Sequence, residues 1–217
     1  VHAASRAASA GANVLVLCPT GALVHAYKDR LPESDRITVE TIHSGFSITR
    51  PRDKLVTYAP PSRLRKYDLM IIDEASQIED SVYKRMIIGI SELPQRPFVC
   101  MAADFQQLNP VGGGNITRRG CEGMRQIELG TIYRSTDVDH LLFLARLRDT
   151  QPAKHEVRAF FRHRHWEMPL QAAVRKGMLL QQEHQKVFTW LCVTNKGAAA
   201  VNQAAVRALG LTADDLL

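Results

Sequence analysis

The sequence predicts an α/β protein built on a parallel sheet with helices on both faces. Three observations carry this. Short apolar runs recur at Asn13–Cys18, Asp68–Ile72 and Phe98–Ala102, with little polar alternation inside them. Strands covered on both faces read this way, because neither row of side chains meets water. Helical stretches lie between the runs, as the crossovers of a parallel sheet require. Polar residues stand just past the runs: Pro19 to Gly21, then Asp73 and Glu74, then Asp104. In such sheets ligands bind beyond the carboxyl ends of the strands. These sequence-distant residues are therefore expected to converge on one edge.

The elements follow in order. Val1 to Ala10 is alanine-rich and stops at Gly11, which reads as the tail of a helix with a glycine cap. Asn13–Cys18 is the first buried strand, Pro19-Thr20-Gly21 a turn, and Ala22–Arg30 a helix. Ile37–Ile42 alternates apolar and polar with the period of a strand. Arg50–Pro61 holds three prolines and reads as a loop. Ser76–Ile90 reads as a helix, broken by Pro94–Pro97. The glycine-rich VGGGNITRRG, from Val111, reads as a flexible connection. Beyond it Val138–Arg148 is expected to be an amphipathic helix. Gln151–Lys186 is polar and basic, Val187–Asn195 is a new buried strand, and a helix runs on to Leu209. A boundary near Gly114–Gln126 divides the chain into domains 1–120 and 121–217.

Composition bounds the function. A chain of 217 residues, 45% hydrophobic, can bury one large core or two smaller ones. The net charge of +6 and the pI near 9.3 favour an anionic partner, nucleic acid first. No apolar run is long enough to span a membrane. The start has no apolar signal stretch and no Met. It reads as clipped at its front. Cys18, Cys100, Cys121 and Cys192 form no CxxC pair. Cys18, Cys100 and Cys192 lie in or beside apolar runs, and the expectation is buried free thiols in a reducing compartment. An intracellular protein follows, with nucleus, mitochondrion and cytoplasm all open.

The chemistry concentrates at LMIIDEAS. Two adjacent carboxylates at the end of a buried strand are costly to desolvate unless a cation meets them. Nucleotide hydrolysis supplies one: Asp73 holds Mg²⁺, and Glu74 orients and deprotonates the attacking water. The alternative is a surface turn with two solvated acids at a helix N-terminus. Met101–Val111 repeats the layout, with Asp104 and then Gln107 after an apolar strand. Gln107 can hydrogen-bond a γ-phosphate or its attacking water; taken singly it is an ordinary loop amide. The RHRHW run, Arg162–Trp166, is either a solvated basic surface or part of a single-strand groove. His155, His163, His165 and His184 lack the cysteine or carboxylate spacing of a metal site.

LCPTGALVHAY, TIHSGF, LMIIDEAS, ADFQQLNPV and IELGTIYRS occur in one order. They resemble motifs Ia, Ib, II, III and IV of superfamily 1 DNA helicases of the RecD/PIF type. CVTNKGAAAVNQ, Cys192–Gln203, resembles a later segment of the same family. The resemblance implies a RecA-like P-loop NTPase domain followed by the start of a second RecA-like domain. It implies ATP and Mg²⁺ as cofactors, with Asp73 the metal ligand, Glu74 the catalytic base and Gln107 the γ-phosphate sensor. Asp104 stands at the same nucleotide site. Arg134 corresponds to an arginine finger, whose charge stabilises the transferring phosphate; read singly, it is a surface ion pair, with Asp137 as a candidate partner. Pro19, Thr20 and Gly21, with His43 and Ser44, correspond to contacts with single-stranded DNA. Phe46 is open between base stacking and a place in the core; His43 is open between a DNA contact and a structural hydrogen bond. Implied partners are single-stranded DNA and duplex junctions, with a monomer as the default. Implied roles are replication, repair or recombination, in the 5′-to-3′ group.

Ala103 and Asn109 depart from the family's usual Gly and Pro. No G-x-x-x-x-G-K-[ST] phosphate loop occurs. The expectation is a fragment whose phosphate loop precedes Val1 and whose closing motifs follow Leu217. Such a piece alone would bind nucleotide poorly and would not unwind DNA. Two other readings stand beside the helicase: an inactive nucleic-acid-binding module, and another P-loop ATPase.

Overall fold

Helix α1 (His2–Ser9) ends where the glycine signal predicts. Gly11 adopts φ +94°, a conformation that costs glycine little. Its N–H bonds the Ala8 carbonyl at 2.9 Å, and the next N–H, of Ala12, bonds Ala7 at 3.1 Å. This closure turns the chain into β1 (Val14–Cys18). The computed structural model describes residues 1–48, 60–110, 116–133, 135–162 and 168–211. Most of the proline-rich loop, the VGGGN stretch, Arg134 and most of RHRHW lie outside the described residues.

α2 (Gly21–Lys28) follows, capped by the Thr20 hydroxyl, which accepts from the Leu23 N–H. Then come β2 (Ile37–Thr41) and the single turn α3 (Ile42–Gly45). β3 (Leu69–Ile72) leads to a 3₁₀ turn, Ala75–Gln77, and to α4 (Asp80–Ser91). The expected helix from Ser76 is thus broken, because Ile78 and Glu79 are extended. β4 (Phe98–Met101) completes a sheet of order β2-β1-β3-β4, with every neighbouring pair parallel.

The central strand β1 is buried along its whole length. Leu15 and Leu17 face one core with Met70, Ile72, Phe46, Leu64 and Met86. Val14, Val16 and Cys18 face the other, with Ala4 and Ala8 of α1, Val24 of α2 and Val39. Each such aliphatic side chain contributes about 1.5–3 kcal/mol by leaving water. α1 and α2 pack on β1 and β2. On β4, Phe98 and Cys100 are exposed, so the expectation of a buried Cys100 is corrected. Cys121 is half-buried, beside the Met101 sulfur at 3.8 Å.

The chain divides into two compact units, residues 1–132 and 133–217. α5 (Ile116–Glu122) belongs to the first, where the Thr117 hydroxyl reaches the Ile78 carbonyl at 3.4 Å. The ITRRG half of the expected flexible connection is therefore helical. The second unit contains α6 (Val138–Asp149), α7 (Lys154–Phe161), α8 (Leu170–His184) and α9 (Asn195–Leu209). Phe143 of α6 stacks on Phe160 of α7 at 3.9 Å, yet no residue of α6 is buried. Val174 of α8 packs with Val201 and Ala204 of α9.

The expected buried strand at Val187–Asn195 is not formed: Leu191 and Val193 are fully exposed, and Cys192 is exposed with them. A strand needs a hydrogen-bonded neighbour, and the described residues of 133–217 hold none. No helix among the described residues is long and apolar enough to cross a membrane.

Candidate functional site

Because all four strands run in parallel, their carboxyl ends share one edge. Four loops leave that edge in the order of the strands. His43 and Ser44 follow β2, Pro19–Gly21 follows β1, Asp73 and Glu74 follow β3, and Asp104 to Gln107 follow β4. Three inter-strand spacings put the outermost loops about 14 Å apart. The structure thus brings together the residues that the sequence placed at strand ends.

The acids are held by backbone on both sides. The Asp73 N–H bonds the Leu17 carbonyl of β1 at 3.0 Å, and the Ala75 N–H bonds Ala102 beyond β4 at 2.8 Å. Both carboxylates are half-buried. Between the anchored backbone of Asp73 and Ala75, Glu74 lies in the left-handed region, φ 49° and ψ 42°. A non-glycine residue there carries strain of about 1–2 kcal/mol. The strand-end geometry, fixed by Leu17 and Ala102, maintains it.

Tyr27 was not singled out from the sequence. Its phenol donates to Asp73 Oδ2 at 2.8 Å. Burial, then this hydrogen bond and the carboxylate charge, push the Tyr27 phenol well above its usual range. Burial, reinforced by Asp73, pushes the Cys18 thiol up to about 11. Tyr27 and the acid are 46 positions apart, so no local signal could have paired them.

The β4 loop is ordered by Asp104. Its carboxylate accepts from the Gln106 N–H at 3.1 Å and from the Gln107 side-chain amide at 3.2 Å. Its own N–H reaches the Ser76 hydroxyl at 3.4 Å, which ties the loop to the turn after Glu74. Gln107 is exposed.

On the other half of the edge, Thr20 and Gly21 are exposed and Pro19 is half-buried. A Cβ on Gly21 would meet nothing within 4 Å, so the turn is open to a ligand. His43 is exposed as well. One expectation is corrected: Phe46 is fully buried in the core, where no base can reach it. Ser44 is exposed, its N–H donating to Thr41 Oγ1 at 3.2 Å and its hydroxyl to Glu40 at 3.0 Å. Arg134 lies outside the described residues.

The donor set suits a hard cation shared with phosphate. Asp73 Oδ1 accepts no hydrogen bond among the described residues, and Glu74 stands beside it. Among the described residues no group of three His, Cys, Asp or Glu could hold a metal alone. Mg²⁺ takes one or two carboxylates and completes its octahedron with phosphate oxygens and water, so the residues present fit it.

The profile of a family described as AAA domain matches residues 1–178. No curated protein matches. A solved structure of Bacteroides Pif1 bound to ssDNA is 23% identical, with a TM-score of 0.47, and the match covers 70% of this chain and 40% of that one. Bacteroides sp. Pif1 in complex with ADP-AlF4 is 23% identical with a TM-score of 0.44, covering 69% and 39%. A double mutant of the Pif1 helicase from Bacteroides is 19% identical with a TM-score of 0.49, covering 88% of this chain and 46% of that one. The chain therefore spans about two fifths of the length of the first of these structures.

Proposed function

The chain belongs to the AAA domain family, and we propose that the whole protein is an ATP-driven DNA helicase of the RecD/PIF type. One observation carries the reading: a single sheet edge presents Asp73, Glu74 and the Asp104–Gln107 loop on one half, and the open Pro19–Gly21 turn with His43 on the other. Nucleotide and nucleic acid would then sit side by side on one rigid sheet.

In this reading Asp73 and the phosphates of ATP hold Mg²⁺, which when bound neutralises charge on the β- and γ-phosphates. Glu74 orients the attacking water and takes its proton. Gln107 offers its amide to the γ-phosphate, exchanging Asp104 for the ligand. Arg134 supplies a guanidinium to the transferring phosphate. Thr20, Gly21 and His43 meet the backbone of single-stranded DNA. ATP hydrolysis is coupled to movement on that strand and to opening of duplex junctions, in replication, repair or recombination inside the cell. In this proposal a first RecA-like domain is followed by the start of a second, with the boundary moved from about residue 120 to the division between residues 132 and 133.

ATP turnover by the whole protein, with and without single-stranded DNA, tests the reading. The expected result is strong stimulation by DNA and a loss of about 100-fold or more in Glu74→Gln. DNA binding without turnover would favour an inactive binding module. Turnover indifferent to DNA would favour another P-loop ATPase.

A further inference from the structure

We propose that Tyr27 is a positioning residue for Asp73, fixing which carboxylate oxygen is presented to a metal–nucleotide complex; this rests on the nucleotide site proposed above. The phenol donates to Oδ2 at 2.8 Å, while Oδ1 accepts no hydrogen bond among the described residues. An aspartate at a strand end has two side-chain torsions to fix. Its backbone N–H, bonded to Leu17, does not fix them. The phenol does, by holding one oxygen in place. Outer hydrogen bonds of this kind orient metal-ligating carboxylates, and losing one typically weakens metal affinity 10–100-fold.

Tyr27 is well placed for the task. Its ring is half-buried and packs against the core that contains Val14, Val16 and Cys18. The ring therefore has a position independent of the acid. It also lies on α2, the helix that begins at the Pro19–Gly21 turn and is capped by Thr20. The carboxylate is thereby fastened to the element that carries the open turn, and to no other side chain among the described residues. A phenylalanine at this position would pack as well as tyrosine; only the hydroxyl is explained by Asp73.

The test is Mn²⁺ binding to the whole protein in the presence of ADP, read by electron paramagnetic resonance of the free ion. Wild type, Tyr27→Phe, Asp73→Asn and the double variant are compared. Circular dichroism melting and single-stranded DNA affinity serve as controls. The expected result is a Mn²⁺ dissociation constant about 10-fold higher in Tyr27→Phe, with melting and DNA affinity unchanged. On the Asp73→Asn background the same change should have no further effect. An unchanged dissociation constant in Tyr27→Phe, or an equal loss with and without Asp73, overturns the positioning role. A wild-type protein that does not bind Mn²⁺ with ADP overturns the proposed nucleotide site, and this inference with it.

Discussion

Both arms of the Arg63 guanidinium rest on the Glu40 carboxylate, at 2.7 and 2.9 Å, and the same arginine reaches the Ser44 carbonyl. Glu40 also accepts from the Ser44 hydroxyl. The pair thus clamps the short helix α3, which carries His43, to the end of β2. Arg63 holds the Glu40 carboxyl below its usual range, chiefly through these hydrogen bonds.

Arg63→Ala is expected to lower stability by about 1 kcal/mol at neutral pH, a figure discounted for the exposure of the pair. The folded-state value of Glu40 is depressed, so its contribution is present above the ordinary glutamate value of 4.5 and is lost as pH falls through the folded value. Urea unfolding of both proteins at neutral and acid pH checks this. The gap between them should close on acidification.

Glu74 holds a left-handed backbone that glycine adopts freely. Glu74→Gly and Glu74→Ala both remove the carboxylate. The glycine variant is expected to be the more stable of the two, by about 1 kcal/mol. Thermal melting of the pair measures the backbone strain separately from the lost acid.

Gly45 packs directly on Leu17. A Cβ there would stand 2.5 Å from Leu17 Cδ2, inside the core beneath β1. Gly45→Ala is expected to cost about 1–3 kcal/mol by overpacking. Trimming the neighbour with Leu17→Val should recover part of the loss. Equal losses with leucine or valine at position 17 would place the strain elsewhere.

Phe46 is a core residue, and its removal should register as stability. Phe46→Ala is expected to lose about 3–5 kcal/mol. Phe46→Leu keeps most of the volume, and its affinity for single-stranded DNA should equal that of the wild type. A selective loss of DNA affinity in Phe46→Leu would return the ring to the DNA face.

The thiols divide by exposure. Iodoacetamide at neutral pH, followed by mass spectrometry, is expected to label Cys100 and Cys192 and to spare Cys18. The raised Cys18 value favours the folded state fully below the ordinary thiol value of 9.0, and this contribution is lost as pH rises through about 11. The native protein should therefore lose stability on the alkaline side, and Cys18→Ser should flatten that limb.

The sequence alone determined the sheet. Strands β1, β3 and β4 follow from unbroken apolar runs; β1 is covered on both faces and has no polar positions to interrupt it, whereas β4 carries the same apolar pattern with one face exposed. It also determined which residues stand at the strand ends, since a parallel sheet sends every carboxyl end to one edge. Gly11 stopped α1 for a local reason, its freedom at positive φ. Tertiary structure decided the rest. Phe46 and the surrounding TIHSGF stretch read alike whether the ring faces a base or the core; packing against Leu17 and Met70 chose the core. Cys100 lies in β4, paired with β3 yet exposed, and Val187–Val193 forms no strand; strand-like sequence supplies neither the covering layer nor the neighbouring strand that burial needs. The partnerships of Tyr27 with Asp73 and of Arg63 with Glu40 span 46 and 23 positions. Hydrogen bonds of that separation exist only once the sheet has brought their elements together.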